Sequence, residues 1–286
     1  MEITELKKDL AATFRWTARL NMNEGVANHF SACVPGSTDE FLVNKSGVHF
    51  SQMKVSDLIL VTKENIEELK KKPDLVDATA INIHGTIHQK VPHAKCIFHV
   101  HSKYATALSA LKNPTLPPID QNTMRFYNRV SIYNEYGGMG FEEESLKMAA
   151  ALGNKQNLLM SNHGILTTGE TVSDGFDALY YFEKSAETYL TALATGKELN
   201  VASHEVAEKT AQEWSNYPSD MGRAHLDQIR LILDKEEAAG ATKYPPFNKI
   251  AKVPSEHKAS VTVGISRKPN VRKVKVLPWH SQLIVG

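Results

Sequence analysis

Lys95-Cys96-Ile97-Phe98-His99-Val100-His101-Ser102 decides how the chain is read. An apolar run carries two histidines at i and i+2, then breaks into Lys103-Tyr104-Ala105-Thr106-Ala107-Leu108. Alternate side chains leave the same face of a strand, so His99 and His101 share one. Ser102 is a suitable N-cap for a helix over 103–112. Both imidazoles then sit at the carboxyl end of a strand, where open α/β architectures hold ligands. Two imidazoles on one face need a third ligand from elsewhere to hold a transition metal. Leu158-Leu159-Met160-Ser161-Asn162-His163-Gly164 offers it, a second apolar strand ending in a histidine and a glycine. Unconnected core histidines are the alternative, but the pair together with Asn-His-Gly favours the metal.

Outward from this stretch, residues 3–20 have the spacing of an amphipathic helix. Short strands are expected within 27–34, 41–44 and 58–61. Pro73 and Asp74 are start signals for a helix over 75–90, which carries His84 and His88 at i and i+4 on one face. Residues 124–133 alternate loosely as a strand, a helix is expected over 142–152, and Thr168-Gly169 reads as a turn. Thr171-Val172-Ser173-Asp174 resembles a capping box opening a long helix to about residue 195, whose stripe of Phe176, Leu179, Phe182, Ala186, Tyr189 and Leu190 is a packing face. Residues 203–239 are helical by pattern.

The 286 residues are 42% hydrophobic and 23% charged, with a net charge of +1. This balance describes a soluble globular protein with no strong pull toward nucleic acid or membrane. The charge is unevenly placed: residues 243–286 hold nine Lys/Arg and one acid, giving this arm about +8 against −7 for the rest. A basic arm of this kind packs on an acidic body or binds nucleic acid; the acidic body here favours the first. No apolar run approaches the roughly 18 residues of a membrane span. Met1-Glu2-Ile3-Thr4-Glu5-Leu6-Lys7-Lys8 lacks the apolar core of a signal peptide, and the two cysteines, Cys33 and Cys96, sit singly in strand-like segments. A cytoplasmic protein with reduced, buried, inert thiols is expected.

Five pieces, in order across roughly residues 5–200, resemble the class II aldolase/adducin superfamily. They are Asn28-His29-Phe30-Ser31, Val43-Asn44-Lys45-Ser46-Gly47-Val48, Ile83-His84 through His88, His99-Val100-His101-Ser102-Lys103-Tyr104-Ala105-Thr106-Ala107, and Asn162-His163-Gly164 before a long helix. The resemblance implies a three-layer α/β/α sandwich with a mostly antiparallel central sheet over residues 1–200. A helical extension (201–242) and the basic arm (243–286) follow. It also implies a homotetramer with sites between subunits, and one divalent ion, zinc before iron or manganese, held by His99, His101 and His163.

The departures bear on chemistry. Family aldolases carry a glutamate one turn before the position of His84, as metal ligand or base; here it is Ala80. Their two phosphate-binding hydroxyl residues correspond to Ala78 and Thr79, so one hydroxyl is lost. Asp74 and Asp77 lie upstream. The pattern is similar to the aldolase/adducin-like branch, whose relatives include decarboxylases and iron-dependent oxygenases.

Three neutral imidazoles leave a dication its full charge and an open position, the arrangement of catalytic sites. A carbon–carbon lyase with less need of a carboxylate base is therefore expected, acting by retro-aldol cleavage or decarboxylation on a small, unphosphorylated hydroxy or keto acid. His84 is the candidate acid/base, or else a neutral histidine fixing a ligand from behind. Asn28, His29, Ser46 and Gly47 are the candidate substrate-binding residues, or else turn residues at strand ends. Tyr127 or Tyr133 is a candidate phenol, and His88 is assigned to helix packing or the surface. A non-haem iron oxygenase and a non-catalytic adducin-like module are the other readings.

Overall fold

The computed structural model describes residues 2–240 other than 38, 136 and 139–141; the basic arm lies outside them. Its elements are α1 (Ile3–Arg19), β1 (His29–Cys33), β2 (Phe41–Asn44), β3 (Leu58–Val61), α2 (Ile66–Leu69), α3 (Ala78–Lys90), β4 (Cys96–Val100), α4 (Lys103–Ser109), α5 (Gln121–Arg125) and β5 (Val130–Tyr133). Then come α6 (Glu142–Leu152), β6 (Asn157–Met160), β7 (Gly164–Gly169), α7 (Val172–Leu193), α8 (His204–Ser215) and α9 (Met221–Ala238). The strands form one sheet in the order β3-β2-β1-β4-β7-β6-β5. Every neighbouring pair is antiparallel except β5 and β6. The expected α/β class with a mostly antiparallel sheet is what is found.

Strand alternation sorts the chain into layers. Phe30 and Ala32 of β1 and Cys96, Phe98 and Val100 of β4 face a core built with α1, α4, α7 and α9. The opposite face carries Ile97, Leu158, Met160 and Leu166, packed against Ile83 and Ile87 of α3 and Met148 and Leu152 of α6. His29, Ser31 and His99 share the parity of Ile97 and so lie on the α3 side. The expected stripe of α7 is buried over Phe176, Leu179, Phe182 and Ala186. Two arginines of α9, Arg223 and Arg230, close on the buried Asp9 carboxylate at 2.6 and 2.7 Å, tying α9 to α1.

Several boundaries differ from expectation. Residues 121–125 are helical, because Asp120 accepts the Thr123 N–H and the Thr123 hydroxyl closes a capping box; only Val130–Tyr133 is strand. Thr168 and Gly169 end a strand, β7, that pairs with both β4 and β6. The helix with His84 starts at Ala78, where the Asp77 carboxylate caps the Thr79 N–H. Ser102 stands at the N-cap of α4 without making the cap. Its hydroxyl donates to Glu183 of α7 at 2.6 Å, and that carboxylate accepts the N–H groups of Tyr104 and Ala105, both at 2.9 Å. Cys33 and Cys96 are free and buried, and burial raises both thiols, Cys33 to about 11.

Candidate metal centre

β4 delivers His99 from its penultimate residue and His101 from one residue past its end. His163 arrives from the short turn joining β6 to β7, and the residues around it explain the turn. Asn162 takes φ +56°, a left-handed conformation that asparagine tolerates. Gly164 passes so close to β4 that a Cβ there would sit 2.5 Å from the Val100 carbonyl oxygen. One nitrogen from each of the three histidines falls within 4.8 Å of the others.

The hydrogen bonds around the cluster point it at a cation. His99 Nδ1 donates to the Ile165 carbonyl at 3.0 Å, and His101 Nδ1 donates to the Glu24 carboxylate at 2.6 Å. Both Nδ1 atoms are thus committed, and the Nε2 atoms face each other at 3.1 Å. In neutral rings that contact sets lone pair against lone pair, which a metal ion relieves. Burial, reinforced by the neighbouring imidazoles, holds His99 well below the ordinary histidine range and His163 at about 4. A carbonyl behind His99 and a carboxylate behind His101 fix their tautomers in the way usual for metal-binding histidines. The residues fit a divalent ion.

The histidines line a cavity of about 370 Å³. Asn28, just before β1, and His29, its first residue, line it too. Asn28 holds φ +79°; its side-chain oxygen accepts the Glu24 N–H, while Asn44 donates to its carbonyl. Its Nδ2 is buried and, among the described residues, has no hydrogen-bond partner. His29 is the cross-strand partner of His99, with ring centroids 5.0 Å apart. Its pKa is pushed to about 4 by burial, against the opposing pull of Asp77. Asp77 lines the same cavity; burial favours its neutral form, but the Thr79 bonds and His29 hold it below the usual carboxylate range.

Other expected residues stand elsewhere. His84 is fully buried behind His29, with Nε2 2.6 Å from His29 Nδ1 and Nδ1 2.5 Å from Ser31 Oγ. His88 is neither surface nor simple packing: its Nε2 meets Ser31 Oγ at 2.7 Å and its Nδ1 meets the Ala94 carbonyl at 2.6 Å. Ser46 and Gly47 form the turn after β2, with the Ser46 N–H on the Leu75 carbonyl and Gly47 at φ +72°; neither lines the cavity. The Tyr133 hydroxyl donates to Glu144 at 3.0 Å, and burial with that contact raises it to about 12. Tyr127 meets His204 at 3.0 Å. Thr106, four residues past the motif serine, was not singled out by sequence. Its hydroxyl is buried and has no hydrogen-bond partner among the described residues, in a residue that lines the cavity.

The family model described as Class II Aldolase and Adducin N-terminal domain matches residues 8–190. The chain belongs to this family. It is similar to L-fuculose 1-phosphate aldolase from Glaciozyma antarctica PI12, with 28% identity, a TM-score of 0.70, and coverage of 87% of this chain and 93% of that one. The 4-hydroxy-3-prenylphenylpyruvate oxygenase/4-hydroxy-3-prenylbenzoate synthase of Streptomyces roseochromogenus is 27% identical over 250 residues, 84% of this chain and 87% of its own. Decarboxylase NovR of Streptomyces niveus is 27% identical over 221 residues, 74% and 81% of the two chains. Among the described residues no helix is long and apolar enough to cross a membrane.

Proposed function

We propose that this family member is a divalent-metal-dependent carbon–carbon lyase that cleaves a small, unphosphorylated hydroxy or keto acid by retro-aldol reaction or decarboxylation. The observation that carries this is the three-histidine cluster in a cavity lined by two residues, Asn28 and Thr106, whose buried Nδ2 and Oγ1 have no hydrogen-bond partner among the described residues. Burying such groups unpaired costs roughly 1–3 kcal/mol each, a penalty that an oxygen-bearing ligand removes. His99, His101 and His163 would hold the ion, with zinc before iron or manganese, and it would polarise a bound carbonyl or carboxylate oxygen.

The chain's own groups do the rest. Asn28 donates to a substrate oxygen, and Ile83 supplies an apolar wall. Among the described residues, no Lys or Arg lines the cavity, whereas the carboxylates of Glu24 and Asp77 do. Asp77 also caps the Thr79 N–H at the start of α3, the place where a helix N-terminus would otherwise receive a phosphate. Both features support an unphosphorylated substrate. The decarboxylase relative supports the reaction class. Assembly as a homotetramer is proposed from the family, and a cytoplasmic location from the two buried free thiols.

A second reading, a non-haem iron oxygenase, is favoured by the oxygenase relative. Metal analysis of untagged protein beside a His99→Ala variant separates the two. About one zinc or manganese per chain, lost in the variant and accompanied by cleavage of hydroxy or keto acids, supports the lyase. Oxygen-sensitive ferrous iron supports the oxygenase. No metal in the folded, metal-resupplied wild type rejects both and leaves a non-catalytic module.

A further inference from the structure

Behind the cavity wall, four buried side chains form a continuous row of hydrogen bonds that metal binding does not require. Strand alternation turns His29 and Ser31 toward α3, and α3 presents His84 and His88 one turn apart. The row runs from the Ala94 carbonyl to His88 Nδ1 (2.6 Å), from His88 Nε2 to Ser31 Oγ (2.7 Å), from Ser31 Oγ to His84 Nδ1 (2.5 Å), and from His84 Nε2 to His29 Nδ1 (2.6 Å). All four residues are at most 5% exposed, which leaves little room for water to substitute for any link.

The end of the row sets the direction of every bond in it. A carbonyl oxygen only accepts, so His88 Nδ1 carries the hydrogen and the Nε2 of its neutral ring accepts. The Ser31 hydroxyl has one hydrogen, gives it to His88, and must accept from His84 Nδ1–H. His84 Nε2 is then an acceptor and takes the Nδ1–H of His29. Burial keeps the rings neutral, His84 well below the ordinary range and His88 at about 4. His29 is left with an Nε2 that bears no hydrogen, and among the described residues that atom has no hydrogen-bond partner.

We propose that this row makes His29 Nε2 an obligate hydrogen-bond acceptor in the cavity, so that the site selects a substrate hydroxyl over a carbonyl of the same size. The inference rests on reading the cavity as a substrate site. Asn28 and His29 then present complementary groups, a donor at Asn28 Nδ2 and an acceptor at His29 Nε2. A hydroxyl can accept from the first and donate to the second, whereas a carbonyl can only accept. Ser31, His84 and His88 are positioning residues that act through His29. Ser31 is the link with a single hydrogen, and its loss frees both His84 and His29 to exchange tautomers.

Neutron diffraction from deuterium-exchanged crystals of the full, metal-bearing chain tests the hydrogen assignments directly. Deuterium is expected on Nδ1 of His29, His84 and His88, and on Ser31 Oγ toward His88. Deuterium on His29 Nε2 overturns the proposal whatever the protein's activity, and this map decides the matter even where a Ser31 variant does not fold. Calorimetric titration with lactate and pyruvate, on protein of measured metal content, tests the selection. The lactate-to-pyruvate affinity ratio should fall about tenfold in Ser31→Ala, the loss of one hydrogen bond, and return in Ser31→Thr. An unchanged ratio in Ser31→Ala overturns the selection. Failure of both probes to bind the wild type overturns the hydroxy-acid reading and the selection with it, while the deuterium positions are judged separately.

Discussion

Glu183 is expected to be the most consequential carboxylate outside the cavity, because it caps the helix that starts beside His101, a proposed metal ligand. Its two oxygens accept the Ser102 hydroxyl and two backbone N–H groups at the buried start of α4. Bonds to an ionised acceptor contribute roughly 1.5–3 kcal/mol each, and neighbouring bonds are not additive. Water entering the vacated space offsets part of the loss. Glu183→Ala should therefore lower stability by about 3–5 kcal/mol. Ser102→Ala removes one of the three bonds and leaves the backbone pair intact, so about 1 kcal/mol is expected. A serine that capped the helix itself would give about 1 kcal/mol for Ser102→Ala as well, but only a small effect at Glu183. Urea midpoints compared at one fixed protein concentration, to hold any oligomer equilibrium constant, read both values. A Glu183→Ala loss no larger than that of Ser102→Ala would refute the reasoning. Because α4 fixes the backbone behind His101, metal affinity in Glu183→Ala should also fall, by about 10–100-fold.

Removing metal with a chelator should lower the melting temperature of the wild type and leave His99→Ala unmoved, which differential scanning calorimetry checks. Gly164→Ala, with its Cβ forced against the Val100 carbonyl, should weaken metal binding at least about tenfold while far-ultraviolet circular dichroism stays native. Asn28→Ala should weaken binding of lactate to the metal-loaded protein by about tenfold, measured by calorimetry, with metal content unchanged. Acid should destabilise the fold through His88, whose pKa falls from 6.5 to about 4 on burial. Between those values the unfolded chain binds a proton that the folded chain does not, so stability is lost as pH drops through this window, on the order of 3 kcal/mol in all. Urea midpoints at pH 7, 6 and 5 should decline in that order; a flat series contradicts the assignment.

The three-histidine cluster was legible because its members sit in local patterns. His99 and His101 have strand parity, and Asn162-His163-Gly164 is a turn whose asparagine and glycine each answer a backbone requirement. What sequence could not supply was pairing across the sheet. His84 and His88 were visible at helical spacing, and His29 and Ser31 at strand spacing, but nothing local shows that these two periods meet face to face. Glu183 escaped for the same reason: it caps a helix 81 residues away from its own position. Strand β7 was missed because Gly164-Ile165-Leu166-Thr167-Thr168-Gly169 is short and bounded by glycines, so its turn residues outweighed the apolar pair. Helix α5 was hidden by reading period before caps, since Asp120 and Thr123 mark its start.

The alanine at position 80 takes on a different meaning once the layers are in place. Ala80 is 1% exposed and packs with Phe41, Val43, Val76 and Ile81, so that turn of α3 is committed to the core between helix and sheet. A carboxylate there would carry a desolvation cost unless a bound cation or a hydrogen-bond partner offset it. The polar groups that reach the cavity come from other places: Asp77 from the cap of α3, Glu24 from the loop after α1, and His29 from the strand beside His99. Glu24 is bonded to His101 and Asp77 to Thr79, which leaves His29 as the imidazole lining the cavity that is not itself a proposed metal ligand. The cavity thus keeps titratable groups without the family glutamate, and one of them, His29, is held by a row of buried bonds rather than by a second carboxylate. An imidazole fixed in one tautomer accepts a hydrogen bond without bringing a negative charge to a cavity that already carries two.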